Sequence, residues 1–360
     1  MAFFLIAASP LLAETPFRIC IYGDNRGANR VHRTILKQAK KLHPRLFVID
    51  GDVVKYDYGR AGTPEAVLND YRSVFAAPDH PLDFWPNAPG PAVFTTPGGD
   101  DEQYFLDPET AHRADQVPGK RCAYEGTNEL GVQLYEMFDL DAMRIRVQPL
   151  TEIDKPLPMS DYGDYLLIVG SGSRRDCALL MLYRSDRWAF REDQIRWVDS
   201  TLTALRKASP ALPLIAVAHD WTWFFPDTLD NGHIDGAENG VRGGSAEEDQ
   251  KQRRRLAEAL HTFRVDVAVS SDRHAYWAGK DGSLLRINCA AAICADPRGE
   301  RVAVDNLWLE YSQTPSTIKV VVHPVDPPGG CGITSASSSA YGLAFEKDRA
   351  AGSAWRSTQP

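Results

Sequence analysis

The chain has 360 residues, of which 43% are hydrophobic and 24% are charged. This length and composition suit one large globular domain or two small ones, and such a chain can bury a core without disulfide staples. The net charge of -8 and the isoelectric point near 5.6 argue against a nucleic-acid-binding surface.

The N-terminal segment carries no charge from residue 2 to residue 13, and the first charged residue is Glu14. Such a run resembles the apolar core of a secretory signal, with the small residue Ala13 at the cleavage point. It predicts a signal peptide over residues 1–13 and export to the periplasm or outside the cell. A buried first strand is the alternative. The run is too short to span a bilayer, and no other segment has the apolar length to do so.

Beyond this segment, short apolar runs alternate with amphipathic helical patterns, which is typical of an α/β architecture. The first two runs are separated by a helical pattern, and this order predicts a βαβ unit with parallel strands. The predicted strands are residues 17–22, 46–49, 92–95, 165–169, 178–183, 214–218 and 265–269, followed by a hairpin over 307–322. The predicted helices are residues 28–42, 64–75, 192–206 and 246–263.

Two regions lack this alternation. Residues 103–160 are polar, interrupted by glycine and proline, and poorly periodic, which predicts an insertion near the functional site or a cap. Residues 326–360 are rich in glycine, serine and alanine, which predicts a flexible C-terminal tail. The folded domain is then expected to cover residues 17–325.

The six cysteines fit an oxidising compartment. Cys289 and Cys294 are close in sequence, whereas Cys122 and Cys177 flank the most irregular stretch of the chain. Either pair could form a disulfide, and spacing alone does not assign the pairing.

Polar residues of the types that bind metals follow five of the apolar runs. Sites in open α/β sheets form beyond the carboxyl ends of the strands, so five such ends in one chain predict one shared site. Glycines in these segments let the backbone turn sharply where the side chains project. The segments are Gly23-Asp24-Asn25-Arg26, Asp50-Gly51-Asp52, residues 97–102 (PGGDDE), Ala218-His219-Asp220 and Ser271-Asp272-Arg273-His274.

Charge supports a metal site at this place. Several carboxylates brought into a small volume would repel one another, and their pKa values would rise. Bound cations remove this repulsion, and two histidines complete a plausible ligand set. The residues concerned are Asp24, Asp52, Asp100, Asp101, Asp272, His219 and His274.

The order of these five segments resembles that of the calcineurin-like metallophosphoesterases, which is D-x-H, G-D, G-N-H-D/E, a lone H and G-H-x-H. The resemblance covers residues 17–325 and implies two mixed β-sheets sandwiched between helices. It also implies that Asp24 and His274 hold one metal, that His219 holds the other, and that Asp52 bridges both. A hydroxide bridging the two metals would attack phosphorus in line.

The chain departs from the family pattern at four positions. Arg26 stands where a histidine ligand is usual, and Asp272 replaces the first histidine of G-H-x-H. In the third motif, Gly99 or Asp100 stands in place of the asparagine, and Asp100 or Asp101 replaces the histidine. Carboxylates can still bind metal, so the substitutions favour a remodelled site. Arg26 and Arg273 are expected to bind a phosphate, with salt bridges to the nearby aspartates as the alternative.

His32 lies in the predicted helix that follows the first motif. It could replace the missing histidine ligand, but the sequence favours a histidine on the helix surface.

The predicted function is metal-dependent hydrolysis of a phosphate monoester or diester, with a small phosphorylated substrate and no nucleic-acid partner. Two divalent cations are expected. The carboxylate-rich ligand set favours manganese, magnesium or calcium over softer metals such as zinc and iron, and manganese is the preferred assignment, with iron, zinc, magnesium and calcium as alternatives. The residues expected to act in catalysis are Asp52, Asp100, Asp101, Arg26 and Arg273. A catalytically silent metal- or phosphate-binding protein on the same fold is the alternative.

Overall fold

The computed structural model describes most of the strands and helices predicted from the sequence. The described residues are 16–23, 29–51, 92–96, 98, 164–171, 174–182, 190, 192–219, 246–271, 276–289, 307–324, 344–349 and 353–358. The predicted signal peptide, the predicted helix at 64–75 and the predicted insertion at 103–160 lie outside these residues.

The described elements follow one another in this order: β1 (Phe17–Gly23), α1 (Asn29–Lys40), β2 (Leu46–Asp50), β3 (Ala92–Thr96), β4 (Tyr165–Ser171), β5 (Arg174–Leu182), α2 (Glu192–Ala208), β6 (Leu214–Ala218), α3 (Ala246–Thr262), β7 (Val267–Ser270), β8 (Trp277–Asp281), β9 (Leu284–Asn288), β10 (Leu307–Gln313), β11 (Thr317–Pro324), β12 (Ala344–Asp348) and β13 (Arg356–Thr358).

These strands form two mixed sheets. The first sheet has seven strands in the order β13-β12-β11-β10-β1-β2-β3, and the second has six in the order β4-β5-β6-β7-β9-β8. β1, β2 and β3 run parallel, and so do β5, β6, β7 and β9. The predicted βαβ unit is confirmed, because α1 connects the parallel neighbours β1 and β2.

The inner strands β6 and β7 of the second sheet are buried on both faces, which explains why they are continuous apolar runs. Side chains along a strand point to alternate faces. In β4, Leu167 and Val169 pack into the core that joins the two sheets, whereas Leu166 and Ile168 pack against α2 and α3. α1 packs its apolar face into the core of the first sheet. The predicted sandwich of two sheets between helices is therefore confirmed.

The helix α2 shows how the local sequence sets an element. Its buried apolar residues recur every three or four positions, at Ile195, Val198, Leu202 and Leu205. Acidic residues occupy its first turn and basic residues its last turn, which complements the helix dipole. It ends at Ala208, two residues before Pro210, a position where a helix cannot easily continue.

The C-terminal region differs from its prediction. Residues 344–348 and 356–358, which composition assigns to a flexible tail, form β12 and β13 and extend the first sheet beyond β11. A hairpin formed by β8 and β9 was also not predicted. Its two-residue turn is Gly282-Ser283, with Gly282 at a φ of 58°, and a Gly-Ser pair between two strands is a hairpin signal.

Two side chains anchor the C-terminal strands to the second sheet. Lys347 Nζ lies 2.5 Å from Asp266 Oδ1 and donates to the Ser283 carbonyl at 3.1 Å. The Trp355 indole N–H donates to the carbonyls of Asp266 at 3.1 Å and Ser283 at 3.0 Å. Asp266 directly precedes β7, so these contacts join the two sheets at the end where β7 begins.

Two sequence expectations concern cysteine pairing and the membrane. Cys177 and Cys289 are fully buried free thiols, and burial together with the nearby Asp176 charge raises the pKa of Cys177. The partners predicted for them, Cys122 and Cys294, lie outside the described residues. Among the described residues, no helix has both the length and the apolar character needed to cross a membrane.

Candidate metal centre

The carboxyl ends of strands from both sheets meet at one place. β2 ends at Asp50 in the first sheet, and β7 ends one residue before Ser271 in the second. The Ser271 hydroxyl donates a hydrogen bond to the Asp50 carbonyl at 2.5 Å. The second and fifth motifs, which are about 220 residues apart in the chain, therefore start from adjacent points.

Gly51 brings the third and fourth motifs to the same point. Its φ is 67°, a conformation that favours glycine. A Cβ built on Gly51 would lie 2.6 Å from both Cγ and Nδ1 of His219 and 2.8 Å from the Gly98 nitrogen. Because no side chain occupies this space, the His219 ring and the Gly98 backbone can approach the end of β2.

Gly23 completes the set. It pairs with Asp50 in the parallel register of β1 and β2, and a Cβ on Gly23 would clash with the Asp50 carbonyl oxygen and the Ser271 hydroxyl. Each of the five motifs thus contributes at least one described residue to a single group of neighbours. We call this group the motif-end cluster; it consists of Gly23, Asp50, Gly51, Gly98, His219 and Ser271.

His219 is fully buried in the motif-end cluster, directly after β6. Its Nδ1 lies 2.8 Å from the Asp50 carbonyl oxygen. A carbonyl oxygen can only accept, so Nδ1 carries the proton and the lone pair of the neutral ring is on Nε2. Histidines that bind metals are held in this way, with the other ring N–H donated to a carbonyl or carboxylate. The ring of His219 therefore fits the predicted ligand role.

Of the predicted site residues, His219 lies within the described part of the chain. The others, Asp24, Arg26, Asp52, Asp100, Asp101, Asp272, Arg273 and His274, lie outside it and remain predictions. Within the described ranges, no three His, Cys, Asp or Glu side chains form a group that could hold a metal ion. The structure thus describes the ends of the strands from which the predicted ligands extend.

Polar side chains at the ends of other strands fasten the two sheets together beside the motif-end cluster. The Thr96 hydroxyl, at the end of β3, donates to the Leu182 carbonyl at 2.7 Å in the second sheet. The Tyr165 hydroxyl of β4 donates to the Thr95 carbonyl at 2.6 Å. These residues are not among the predicted site residues, although two threonines at the end of an apolar strand are a visible signal in the sequence.

His32 is not on the helix surface, so the favoured interpretation of this residue is wrong. It is fully buried, and its Nε2 lies 2.6 Å from the Tyr22 hydroxyl of β1. His32 shares the helix face of Ile35, Leu36 and Ala39, at spacings of three, four and seven residues, and all three are fully buried. That spacing was the signal for burial.

No protein-family model and no curated protein sequence matches the chain. The structure is similar to a dimetal phosphatase from Danio rerio, with 11% identity, a TM-score of 0.49 and coverage of 86% of this chain and 95% of that one. GAP50, the anchor in the inner membrane complex of Plasmodium, has 12% identity, a TM-score of 0.43 and coverage of 91% and 99%.

A putative 5'-nucleotidase from Staphylococcus aureus has 10% identity and a TM-score of 0.45, with 90% of this chain and 56% of that one covered. The strand order and the meeting of the five motif ends are properties of this chain itself. In motif order and in its sandwich of two mixed sheets, the chain resembles the calcineurin-like metallophosphoesterases, as its sequence predicts.

Proposed function

We propose that the protein is a metal-dependent phosphoesterase that hydrolyses a phosphate monoester or diester. The observation that carries this proposal is the motif-end cluster, in which all five motifs start from neighbouring points and the His219 ring has its lone pair on Nε2. In this proposal, carboxylates and histidines that follow these points in the sequence share a pair of cations.

In this proposal the chain contributes two kinds of group. Six residues hold two divalent cations, which when bound supply Lewis acidity and an activated water. Arg26 and Arg273 bind phosphate oxygens, because a guanidinium matches them bidentately. The proposed ligands are Asp24, Asp52, Asp100, His219, Asp272 and His274, with Asp101 as the alternative to Asp100.

The ligand set also suggests which metal is preferred. Carboxylate oxygens outnumber imidazoles in it, and hard oxygen ligands favour manganese, magnesium or calcium over zinc. The imidazole that assists the leaving group in the family pattern is replaced by Asp100 or Asp101, which could protonate it only with a raised pKa. We therefore expect activity to be highest with manganese and with esters of good leaving groups.

This expectation is tested by measuring turnover with manganese and with zinc across aryl esters of differing leaving-group pKa. Maximal activity with zinc and no dependence on the leaving group would contradict it, even if hydrolysis itself is observed.

The decisive test of the function compares the wild type with Asp52→Asn and with Asp281→Asn. Asp281 is an exposed residue paired with His261 at 3.2 Å and serves as the matched control. Asp52→Asn is expected to abolish turnover of aryl phosphates and diesters and to lose at least one bound metal, whereas Asp281→Asn retains both. Full metal content and normal turnover in Asp52→Asn would contradict a dinuclear site. Stoichiometric metal with no turnover in the wild type would favour the catalytically silent binding protein.

Export is proposed from the uncharged segment at residues 2–13. N-terminal sequencing of the protein from the periplasm or the medium should show cleavage after Ala13. An intact N-terminus on protein that stays in the cytoplasm would contradict export.

A further inference from the structure

The Ser271 hydroxyl contacts two different groups within the motif-end cluster. It lies 2.5 Å from the Asp50 carbonyl oxygen and 3.0 Å from Nδ1 of His219, which itself lies 2.8 Å from the same carbonyl. Ser271 and His219 are both fully buried. The three groups form a closed triangle, shielded from solvent, that joins the two sheets.

The number of available protons fixes the direction of every hydrogen bond in this triangle. A serine hydroxyl has one hydrogen, and at 2.5 Å that hydrogen lies between Ser271 Oγ and the Asp50 carbonyl oxygen. Toward Nδ1 of His219, the Ser271 hydroxyl oxygen can therefore act only as an acceptor, and so can the Asp50 carbonyl oxygen. Nδ1 must be the donor to both acceptors, which leaves the lone pair of the neutral ring on Nε2.

The backbone holds Ser271 where this arrangement needs it. Its N–H donates to the His219 carbonyl at 3.2 Å, and the Ser270 hydroxyl donates to the same carbonyl at 2.7 Å. On the other side, a Cβ on Gly23 would clash with the Ser271 hydroxyl, so glycine at that position leaves room for it.

We propose that Ser271 is a positioning residue of the metal centre: its hydroxyl, fixed by the Asp50 carbonyl, serves as the second acceptor for Nδ1–H of His219. It thereby holds the ring in one tautomer and one orientation, with Nε2 as the atom that binds metal. This inference rests on the proposed function, in which His219 is a ligand. Removal of such an outer partner typically lowers metal affinity by about 10- to 100-fold.

The tautomer can be measured without any metal. In the full-length, metal-free protein with isotope-labelled histidine, imidazole nitrogen NMR at about pH 8 should show the Nδ1–H form of His219. The His219→Ala variant identifies the signal. In Ser271→Ala the His219 nitrogen signals should shift, because one acceptor is lost. An Nε2–H tautomer in the wild type, or unchanged signals in Ser271→Ala, would overturn the proposal.

The effect on the metal site is measured by calorimetric titration with manganese alone. Ser271→Ala should bind manganese about 10-fold more weakly than the wild type. Ser270→Ala is the matched control, because its hydroxyl contacts the His219 backbone and not the ring; its ring signals should be unchanged and its affinity within about 3-fold of the wild type. Equal losses in the two variants would show that the effect is not specific to the ring contact.

A double-mutant cycle tests whether Ser271 acts through His219. In a His219→Ala background, Ser271→Ala should change manganese affinity by less than about 2-fold, since the ring it positions is absent. The same 10-fold loss in that background would overturn the proposal. A wild type that binds no manganese would contradict the proposed function, whereas manganese binding that is equal in wild type and Ser271→Ala would contradict only the role of Ser271.

Discussion

The two ends of the sandwich are built from different chemistry. At the end where β7 begins, cationic and indole donors from the C-terminal strands are bound to groups of the second sheet: Lys347 contacts Asp266, and Trp355 contacts the Asp266 and Ser283 carbonyls. At the end where β7 finishes, the described contacts are a hydroxyl, an imidazole and a carbonyl, packed around glycines.

This difference separates stability from function. Lys347 and Asp266 neutralise each other, and their side chains are only 11% and 13% exposed, so the pair closes that end of the fold. The motif-end cluster instead consists of neutral donors and acceptors at the strand ends that precede most of the predicted ligands in the sequence. Substitutions at the first end should therefore change the free energy of unfolding, and those at the second should change metal binding and turnover.

The largest effect is expected at the functional end. His219→Ala should weaken metal binding by at least about 100-fold, since loss of a ligand exceeds the loss typical of an outer-shell partner, and turnover should fall with it. Metal titration and a turnover assay measure this, and circular dichroism checks the fold. His261→Ala, at an exposed histidine on α3, is the control. A His219→Ala protein that fails to fold at any metal concentration would point to a structural histidine.

Gly51→Ala should lower both the stability and the metal affinity, because a Cβ at Gly51 would meet the His219 ring. A positive φ costs an alanine about 1–2 kcal/mol, and the added Cβ also meets the ring. We expect about 3 kcal/mol of lost stability in denaturant unfolding, together with weaker metal binding.

Gly282→Ala provides a matched control for that variant. Gly282 has a φ of 58°, but a Cβ there would meet nothing within 4 Å. Gly282→Ala should therefore lose only the stability that a positive φ costs an alanine, about 1–2 kcal/mol, and its metal affinity should be unchanged. Equal effects of the two substitutions would show that the ring contact at Gly51 is unimportant.

Lys347→Met tests the opposite end. It keeps most of the side-chain volume but leaves the Asp266 carboxylate without its cation, which should cost about 2 kcal/mol of stability. Turnover of the folded protein should be unchanged. Lys319→Met, at an exposed position of β11 in the same sheet, should have little effect on either. A fall in kcat with normal stability in Lys347→Met would contradict the assignment of stability to one end of the sandwich and of turnover to the other.

The smallest effect concerns Glu310, in β10 between the two ends. Burial raises the pKa of this carboxyl, but hydrogen bonds and charge from His323 and Arg18 outweigh burial and hold the pKa below its usual range. Because the pKa of Glu310 is lower in the folded state, its ionised carboxylate stabilises the protein at pH values above the unfolded-state pKa. This stabilisation is lost as the pH falls through the folded-state pKa.

Glu310→Gln should therefore cost about 1 kcal/mol at neutral pH and flatten the pH dependence of stability below about pH 4.5. Unfolding midpoints across that range measure it. An unchanged slope in Glu310→Gln would mean that another group causes the acid sensitivity.

Several elements could be predicted from the sequence, and the exceptions have physical reasons. Strands buried on both faces, such as β6, are uninterrupted apolar runs and were predicted with correct ends. β8 was missed because none of its residues is fully buried and it is set by pairing with β9. β12 was missed because Lys347 is held by a charge pair with a distant residue, a contact that local composition cannot show.

The same limit applies to the site. The motif ends could be predicted because the apolar runs stop there and ligand-type residues follow. The roles of Ser271 and of the Asp50 carbonyl could not, because they depend on the packing of β2 against β7 across the two sheets. His32 was predictable in principle, since its helical spacing from Ile35 and Leu36 placed it on the buried face.

The pairing of β1 also constrains the order in which the chain can fold. One edge of β1 is covered early by β2, but its other edge pairs with β10, where Phe17 lies opposite Gln313. During synthesis, that edge stays open until almost the whole chain has been made, and contacts so distant in sequence form slowly. An open edge of an apolar strand invites pairing with other chains. The nascent protein should therefore depend on chaperones until β10 has been made. A chain truncated before β10 should aggregate.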